Sequence, residues 1–202
     1  MPYDCVFDLG CGSNKVSGAI GIDVVGTAGV DIVMRLDRLA LRDDIADVVY
    51  ASHVLEHVPV LVDAMEEIWR ICKPGARVHI WAPHFSCGLY LWNDPTHVRA
   101  FSTYMFDFFD PASTFANSSS AYFRVSRCEL HFGFHRGENS VVPMTFWTGI
   151  IKRGFARLVE PFANQSRIAQ LFCERFWGPL IGFEEIYFEL EVVKADQGIT
   201  AD

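Results

Sequence analysis

The six cysteines, at positions 5, 11, 72, 87, 128 and 173, form no Cys-x-x-Cys pair and no regular spacing. That suggests neither a zinc ribbon nor a disulfide framework, and the thiols read as reduced and mostly buried. No stretch reaches the ~18 consecutive apolar residues of a membrane span, and no basic segment followed by an apolar one opens the chain. The expected location is therefore the cytoplasm. Positive charge is scarce, with 17 Lys and Arg against 25 Asp and Glu, a formal net charge of −8. Without a clustered basic face, a nucleic-acid partner is not expected. No internal repeat is visible. What is present is 202 residues, half of them hydrophobic, enough for one domain spanning 1–202 that buries about 70% of its unfolded surface.

Apolar runs alternate with turn signals from the start. Cys5 to Leu9, Ala19 to Asp23, Val30 to Leu36 and Ala46 to Ser52 are continuous rather than alternating, as in strands covered on both faces. Leu61, Ala64, Met65, Ile68, Ile71 and Cys72 then recur at helical spacing. Pro59 suits the first turn of that helix, and Lys73-Pro74-Gly75 predicts its stop. Val78 to Ala82 is a fifth strand. This order implies a parallel sheet with right-handed crossovers and a ligand site at the carboxyl ends of the strands.

The second half reads differently. Ser102 is expected to cap a short aromatic helix ending near Asp110-Pro111, before a Ser/Ala-rich loop to Ala121. Arg127 to Phe132 and Glu185 to Val192 alternate apolar with charged residues, which predicts antiparallel strands with one wet face and cross-strand charge pairs. Between them, residues 135–183 predict a helical insertion. Trp147, Ile150, Ile151, Phe155, Leu158 and Phe162 form one apolar stripe opposite Lys152, Arg153 and Arg157; Ile168, Leu171, Phe172 and Phe176 form another. Such stripes pack on the sheet or on each other. A lid over the site, or a homodimer or partner contact through 145–178, is the functional alternative.

Chemistry concentrates at Asp8-Leu9-Gly10-Cys11-Gly12-Ser13, where the first strand ends. A buried strand that turns sharply against a ligand needs glycine, because a Cβ would block the approach and restrict φ. Asp23, at the end of the second strand, is placed to accept hydrogen bonds from both hydroxyls of a ribose. A dinucleotide fingerprint would need Gly-x-Gly-x-x-Gly and an acid about twenty residues on. Position 15 is Lys and Asp23 comes early, so a dinucleotide is disfavoured.

With Asp8-Leu9-Gly10-Cys11-Gly12, Gly21-Ile22-Asp23, Val54-Leu55-Glu56-His57 and Ile71-Cys72-Lys73-Pro74-Gly75 in order, residues 4 to 84 resemble class I S-adenosylmethionine-dependent methyltransferases. The resemblance implies a Rossmann-like, seven-stranded, mostly parallel sheet with flanking helices, order 3-2-1-4-5-7-6, strand 7 antiparallel. The insertion falls between strands 6 and 7. It implies S-adenosylmethionine as cofactor, with Asp8 and the Gly10, Cys11 and Gly12 loop holding its methionine end. Asp23, with Val24 beside it, would hold the ribose, Arg35, Leu36 and Asp37 would flank adenine, and Ser52 and His53 would face the sulfonium. Two features depart from the pattern. Asn14 replaces the third loop glycine, and only six residues separate it from Gly21, too few for the usual helix. Asn tolerates a left-handed backbone, which would preserve the turn.

On the acceptor side, His84 and His97 fall at or after the end of the fifth strand. For a hydroxyl acceptor either would remove a proton; for an amine or activated carbon no strong base is needed. Asp94 and Arg99 lie in the same loop and are candidate ligands for a small-molecule substrate, Arg99 for an anionic group. His57 is expected to orient or cap the following helix, His79 to be structural and His131 to be solvated. The spacing of His84, Cys87, Asp94 and His97 matches no recognised zinc pattern, so no metal is expected. The alternative to methyl transfer is a cofactor-binding regulatory protein with the aromatic insertion as its interface.

Overall fold

The short apolar runs do form strands, and their hydrogen-bonding partners place them in one sheet. In the computed structural model, which describes residues 5–114, 119–133 and 146–194, the strands are β1 (Val6–Leu9), β2 (Ile20–Asp23), β3 (Ile32–Val33), β4 (Ala46–Ser52), β5 (Cys72–Pro83), β6 (Tyr122–His131) and β7 (Glu185–Val193). Their order is β3-β2-β1-β4-β5-β7-β6. β1 to β5 are parallel, and β7 is antiparallel to both β5 and β6. The predicted order is thus the observed one.

Boundaries differ where a local rule lost to packing. The helix α1 (Leu61–Ile71) is preceded by Pro59 and N-capped by Val60 without a side-chain bond, so Pro59 lies outside the first turn. At its other end Lys73-Pro74-Gly75 does not form a separate turn. α1 runs directly into β5, and the register to β4 shifts between Ala46 and Val48. The positive φ of Gly75 and the missing donor of Pro74 are absorbed in that irregularity. The third strand keeps only two residues. Ser102 makes no side-chain cap; its carbonyl accepts from Met105 N at the start of a 3-10 turn over Met105–Phe109.

A larger difference concerns the faces of the sheet. No helix lies between β1 and β4 among the described residues; the connections are loops, and α1 is the one crossover helix between parallel strands. One face is buried by Val49, Val78, Ile80, Ala82, Phe188 and Leu190 against α1 and the aromatic turn. On the other, Tyr50, His79, Trp81 and Tyr187 stack across β4, β5 and β7, with centroids 5.0 Å apart for Tyr50–His79 and 4.8 Å for Trp81–Tyr187. Strand β5 therefore alternates in burial instead of being covered on both faces. His79 is structural as expected, bonded to the Tyr187 hydroxyl at 2.8 Å. The glutamates of β7 pair mainly with Arg77 of β5, which contacts Glu189 and Glu191, while Arg127 of the expected partner strand pairs with Glu129 beside it; Glu185 at the start of β7 is wholly buried. His131 is half-buried beside Glu129 and Glu160 rather than solvated.

The insertion contains α3 (Phe146–Ala163), α4 (Arg167–Phe176) and the single turn α5 (Gly178–Ile181), following a short helix α2 (Leu89–Asn93) after β5. Its segment 135–145 lies outside the described residues, as do the side chains of Trp147, Ile150, Ile151, Lys152, Arg153 and Phe155. The described part reverses the expected packing. α4 buries Gln170, Cys173 and Glu174 and turns Ile168, Leu171, Phe172 and Phe176 outward, as α3 does Leu158 and Phe162. The inward face is held by polar bonds: Glu174 accepts from Thr103 N at 2.7 Å and Thr103 Oγ1 at 2.8 Å and pairs with His84 Nε2 at 2.9 Å. All six cysteines are free thiols. No described helix is long and apolar enough to cross a membrane.

Phe106 packs edge-on against Phe188 and is stacked on Phe101 beneath the sheet. Phe106→Ala should therefore lower unfolding free energy by about 3–5 kcal/mol in denaturant titration, with the denaturant slope unchanged.

Candidate active site

At the carboxyl ends of β1 and β2 the chain turns on glycine for two different reasons. Gly10 has φ +65°, and a Cβ there would lie 2.3 Å from Val54 Cγ2, so its hydrogen is needed for packing. Gly12 has φ +50°, and a Cβ there would meet nothing within 4 Å; it faces open space. The turn closes through Asn14 N, which donates to Cys11 O at 3.0 Å. Asn14 itself stays out of the left-handed region, so the missing third glycine costs the loop no strain.

Two acids fix this loop. Asp8 is buried and its Oδ2 accepts from Val16 N at 2.6 Å. Asp23 accepts from Gly12 N at 3.0 Å through Oδ2 and from Val25 N at 2.9 Å through Oδ1. A carboxylate offers about four lone-pair sites, so both oxygens keep acceptor capacity. A cavity of about 230 Å³ opens here, lined by Asp8, the 10–14 loop, Ser52 and His53. Burial, with Asp8 and Asp23 adding to it, raises the Cys11 thiol above its ordinary range, so it stays protonated and unreactive at neutral pH. At the far end Leu36 is buried, while Arg35 and Asp37 form a bidentate pair of 2.9 and 2.6 Å; Val24 is exposed beside Asp23. A larger cavity of about 670 Å³ lies against β6, between Asp107, Arg127 and Gln170, and contains none of the predicted site residues.

Residues 22–80 match the methyltransferase domain family. Over that segment the chain is similar to a methyltransferase domain. Solved structures agree in fold. The YcgJ protein of Bacillus subtilis aligns with TM-score 0.54 at 17% identity over 95% of this chain and 94% of its own. An S-adenosylmethionine-dependent methyltransferase of Archaeoglobus fulgidus gives 0.54 at 16% over 93% and 86%. A chain from the Haloferax volcanii complex of the Trm112 methyltransferase activator with its methyltransferase gives 0.53 at 17% over 94% and 82%. No curated protein matches in sequence. The cofactor that a methyltransferase domain implies is S-adenosylmethionine, and the open space beside Gly12 together with the remaining acceptors of Asp23 fits it.

The second wall of this cavity follows β4. His53 has φ +50°, and its ring lies between two buried glutamates, with Nε2 2.7 Å from Glu185 Oε1 and Nδ1 3.4 Å from Glu56 Oε1. Burial alone would lower its pKa, but the hydrogen bond to Glu185 and the nearby charge of Glu56 outweigh it and raise the value to about 9. The sequence reading assigned Glu56 and Glu185 no role. Glu56 stood in a recognised motif without a visible partner, and Glu185 looked like the wet face of a strand.

The acceptor-side candidates separate. His84 is wholly buried, and burial lowers its pKa despite Glu174. Its Nε2 faces Glu174, and its Nδ1 takes bonds from Ser86 Oγ and Ser86 N. Arg99 directs its guanidinium to the carbonyls of Leu55, Val58 and Pro59, bracing the turn after β4. His97 donates from Nδ1 to Leu91 O at 2.7 Å and turns Nε2 toward Asp94 and Glu56. His57, expected near the helix start, bonds Thr96 instead. The structure therefore brings together His97, Asp94, Glu56 and His57, and places His84 with the insertion.

Gly12→Ala should weaken S-adenosylhomocysteine binding in calorimetry while costing only about 1 kcal/mol of stability. Gly10→Ala, which must displace Val54, should show the larger fall in melting temperature. The raised pKa of His53 means that folding favours its protonated form. That contribution is complete below pH 6.5 and is lost as pH rises toward about 9. Melting temperatures measured from pH 6.5 to 9 should fall more steeply in the wild type than in His53→Asn, since Asn accepts a positive φ.

Proposed function

We propose that this domain transfers the methyl group of S-adenosylmethionine to a small or medium-sized acceptor. The observation that carries the reading is the pairing of Gly12, with open space where a Cβ would project, and Asp23, which pins the same loop while keeping acceptor capacity for ribose hydroxyls. In this reading Asp8 and the 10–12 loop hold the amino-acid end, Asp23 and Val24 the ribose, and Arg35 to Asp37 the adenine edge. Ser52 and His53 form the wall toward the reacting carbon.

The cofactor supplies a positively charged sulfur as leaving group, so the protein's task is alignment and exclusion of water. Charge placement serves that task. His53 would oppose a neighbouring cation by itself, but Glu56 and Glu185 on either side of it turn the group of three into a net anion. The acceptor would enter from the loop that bears Asp94, His97 and Arg99. His97 is the base of choice for a hydroxyl, because His84 is enclosed by Glu174 and Ser86; Arg99 then serves by bracing the turn.

A second reading is favoured by one observation: the outward apolar face of α3 and α4, where Leu158 is 78% and Ile168 81% exposed. Such a face fits a contact with a partner or a second copy through 145–178. It would make the domain a regulated or regulatory member of an assembly. A stable complex in size-exclusion chromatography together with no labelled product from a metabolite pool would favour it.

Asp23→Ala should lower S-adenosylhomocysteine affinity by about 10–100-fold, the worth of hydrogen bonds to a charged group, with the circular dichroism spectrum retained. Unchanged affinity would refute the ribose assignment. With labelled S-adenosylmethionine and a metabolite pool, the wild type should give a labelled small product.

A further inference from the structure

Glu56 is wholly buried, yet neither carboxylate oxygen has a hydrogen-bond partner. A buried carboxylate that makes no hydrogen bond is costly even with the His53 imidazolium near it, and a bound cation would offset that cost. Its nearest groups are His53 Nδ1 at 3.4 Å and His97 Nε2 at 4.0 Å. Glu56, His57 and His97 each present one donor atom within 4.8 Å of the others. We propose that these three residues form a site for a divalent transition-metal ion beside the methyl-transfer cavity.

The surroundings prepare both histidines as ligands. His97 Nδ1 lies 2.7 Å from the Leu91 carbonyl, an acceptor only, so the ring proton sits on Nδ1 and Nε2 carries the lone pair. The Thr96 hydroxyl donates to Asp94 Oδ1 at 2.5 Å, which has no proton to give back. Thr96 Oγ1 must then accept from His57 Nδ1 at 2.8 Å, leaving His57 Nε2 with its lone pair too. Metal-binding imidazoles characteristically donate their other nitrogen in this way. The backbone holds the two segments in place: Val98 N donates to Glu56 O at 2.9 Å, and Arg99 braces the carbonyls of Leu55, Val58 and Pro59.

Two imidazoles and one carboxylate suit zinc or iron(II) and leave coordination positions open. Donors about 2.0–2.1 Å from such an ion lie roughly 3.3 Å apart, so binding requires the three side chains to draw in by about 1 Å. Asp94 Oδ2, 3.9 Å from His97 Nε2, is placed to supply a fourth donor or to bond a metal-bound ligand. His53 touches Glu56 on one side and lines the cofactor cavity on the other, so the ion site and that cavity meet at this side chain. With its Nε2 on the ion, His97 is a ligand and no longer the base, and a coordinated hydroxyl would instead release its proton to water. Its oxygen would then take the methyl carbon as the carbon–sulfur bond breaks, the electron pair staying on sulfur. The site makes the acceptor a hydroxyl compound able to chelate, and that assignment rests on the methyl-transfer reading; the ion site does not.

The test is calorimetric titration of the chelator-stripped full chain with Zn2+ alone, with Co2+ absorption as the second probe. One ion per chain is expected, together with cobalt bands of a nitrogen-containing site. His57→Ala, His97→Ala and Glu56→Gln should each lose more than the ~10–100-fold that removal of an outer partner costs. Thr96→Val should lose about that amount, and Thr96→Ser should restore it. Absence of one-to-one binding in the wild type, or equal affinity in the three ligand variants, overturns the proposal; the wild-type titration decides even if Glu56→Gln does not fold. S-adenosylhomocysteine affinity measured on the same stripped protein reads the methyl-transfer proposal separately.

Discussion

The contact of His53 with Glu185 and Glu56 joins the end of β4 to the start of β7 across the intervening strand β5. His53 ends β4, Glu56 lies in the turn after it, and Glu185 begins the antiparallel strand β7 after the insertion. Two carboxylates buried this deeply would repel each other and destabilise the fold if the imidazolium did not sit between them. Its position fixes the wall of the cofactor cavity and, through Glu56, the group of histidines on the other side. Reaching that position requires a positive φ at a residue other than glycine, a conformation that persists where surrounding structure determines it.

A second constraint is the thin covering of the sheet. With loops between β1 and β4, one face is not packed under crossover helices, and an aromatic ladder of Tyr50, His79, Trp81 and Tyr187 takes their place. The insertion is likewise unusual in how it attaches. Helix α4 docks through Glu174 and Gln170, with Gln170 Nε2 donating to Cys128 O at 2.6 Å, and it leaves its aromatic side to solvent. Polar docking of this kind is directional, so it sets the orientation of the helix where an apolar face would tolerate sliding.

Much of this was legible. Gly10 and Gly12 stand where a strand ends, and Asp8 and Asp23 follow at fixed offsets, because local turn geometry demands those residue types there. Strand order was implied by the family that four motifs resemble, and the alternation in β6 and β7 agreed with it. Helix α4 was misread because an amphipathic stripe shows which residues share a face but not which face is inward. Strand β5 was misread because an apolar run with His79 and Trp81 in it looks continuous, although those two point to the aromatic side. Glu185 was misread because alternation with charged residues normally marks a wet face.

The sequence by itself determined the apolar strands, the glycine loop and the acid that pins it, since each depends on residues close along the chain or on periodicity within one element. Tertiary structure alone decided the group around Glu56. Glu185 lies 132 residues from His53, and Thr96 lies 39 residues from His57. Whether a carboxylate is solvated or buried, and which imidazole nitrogen carries its proton, is set by neighbours that arrive from those distances, and local sequence does not encode such neighbours.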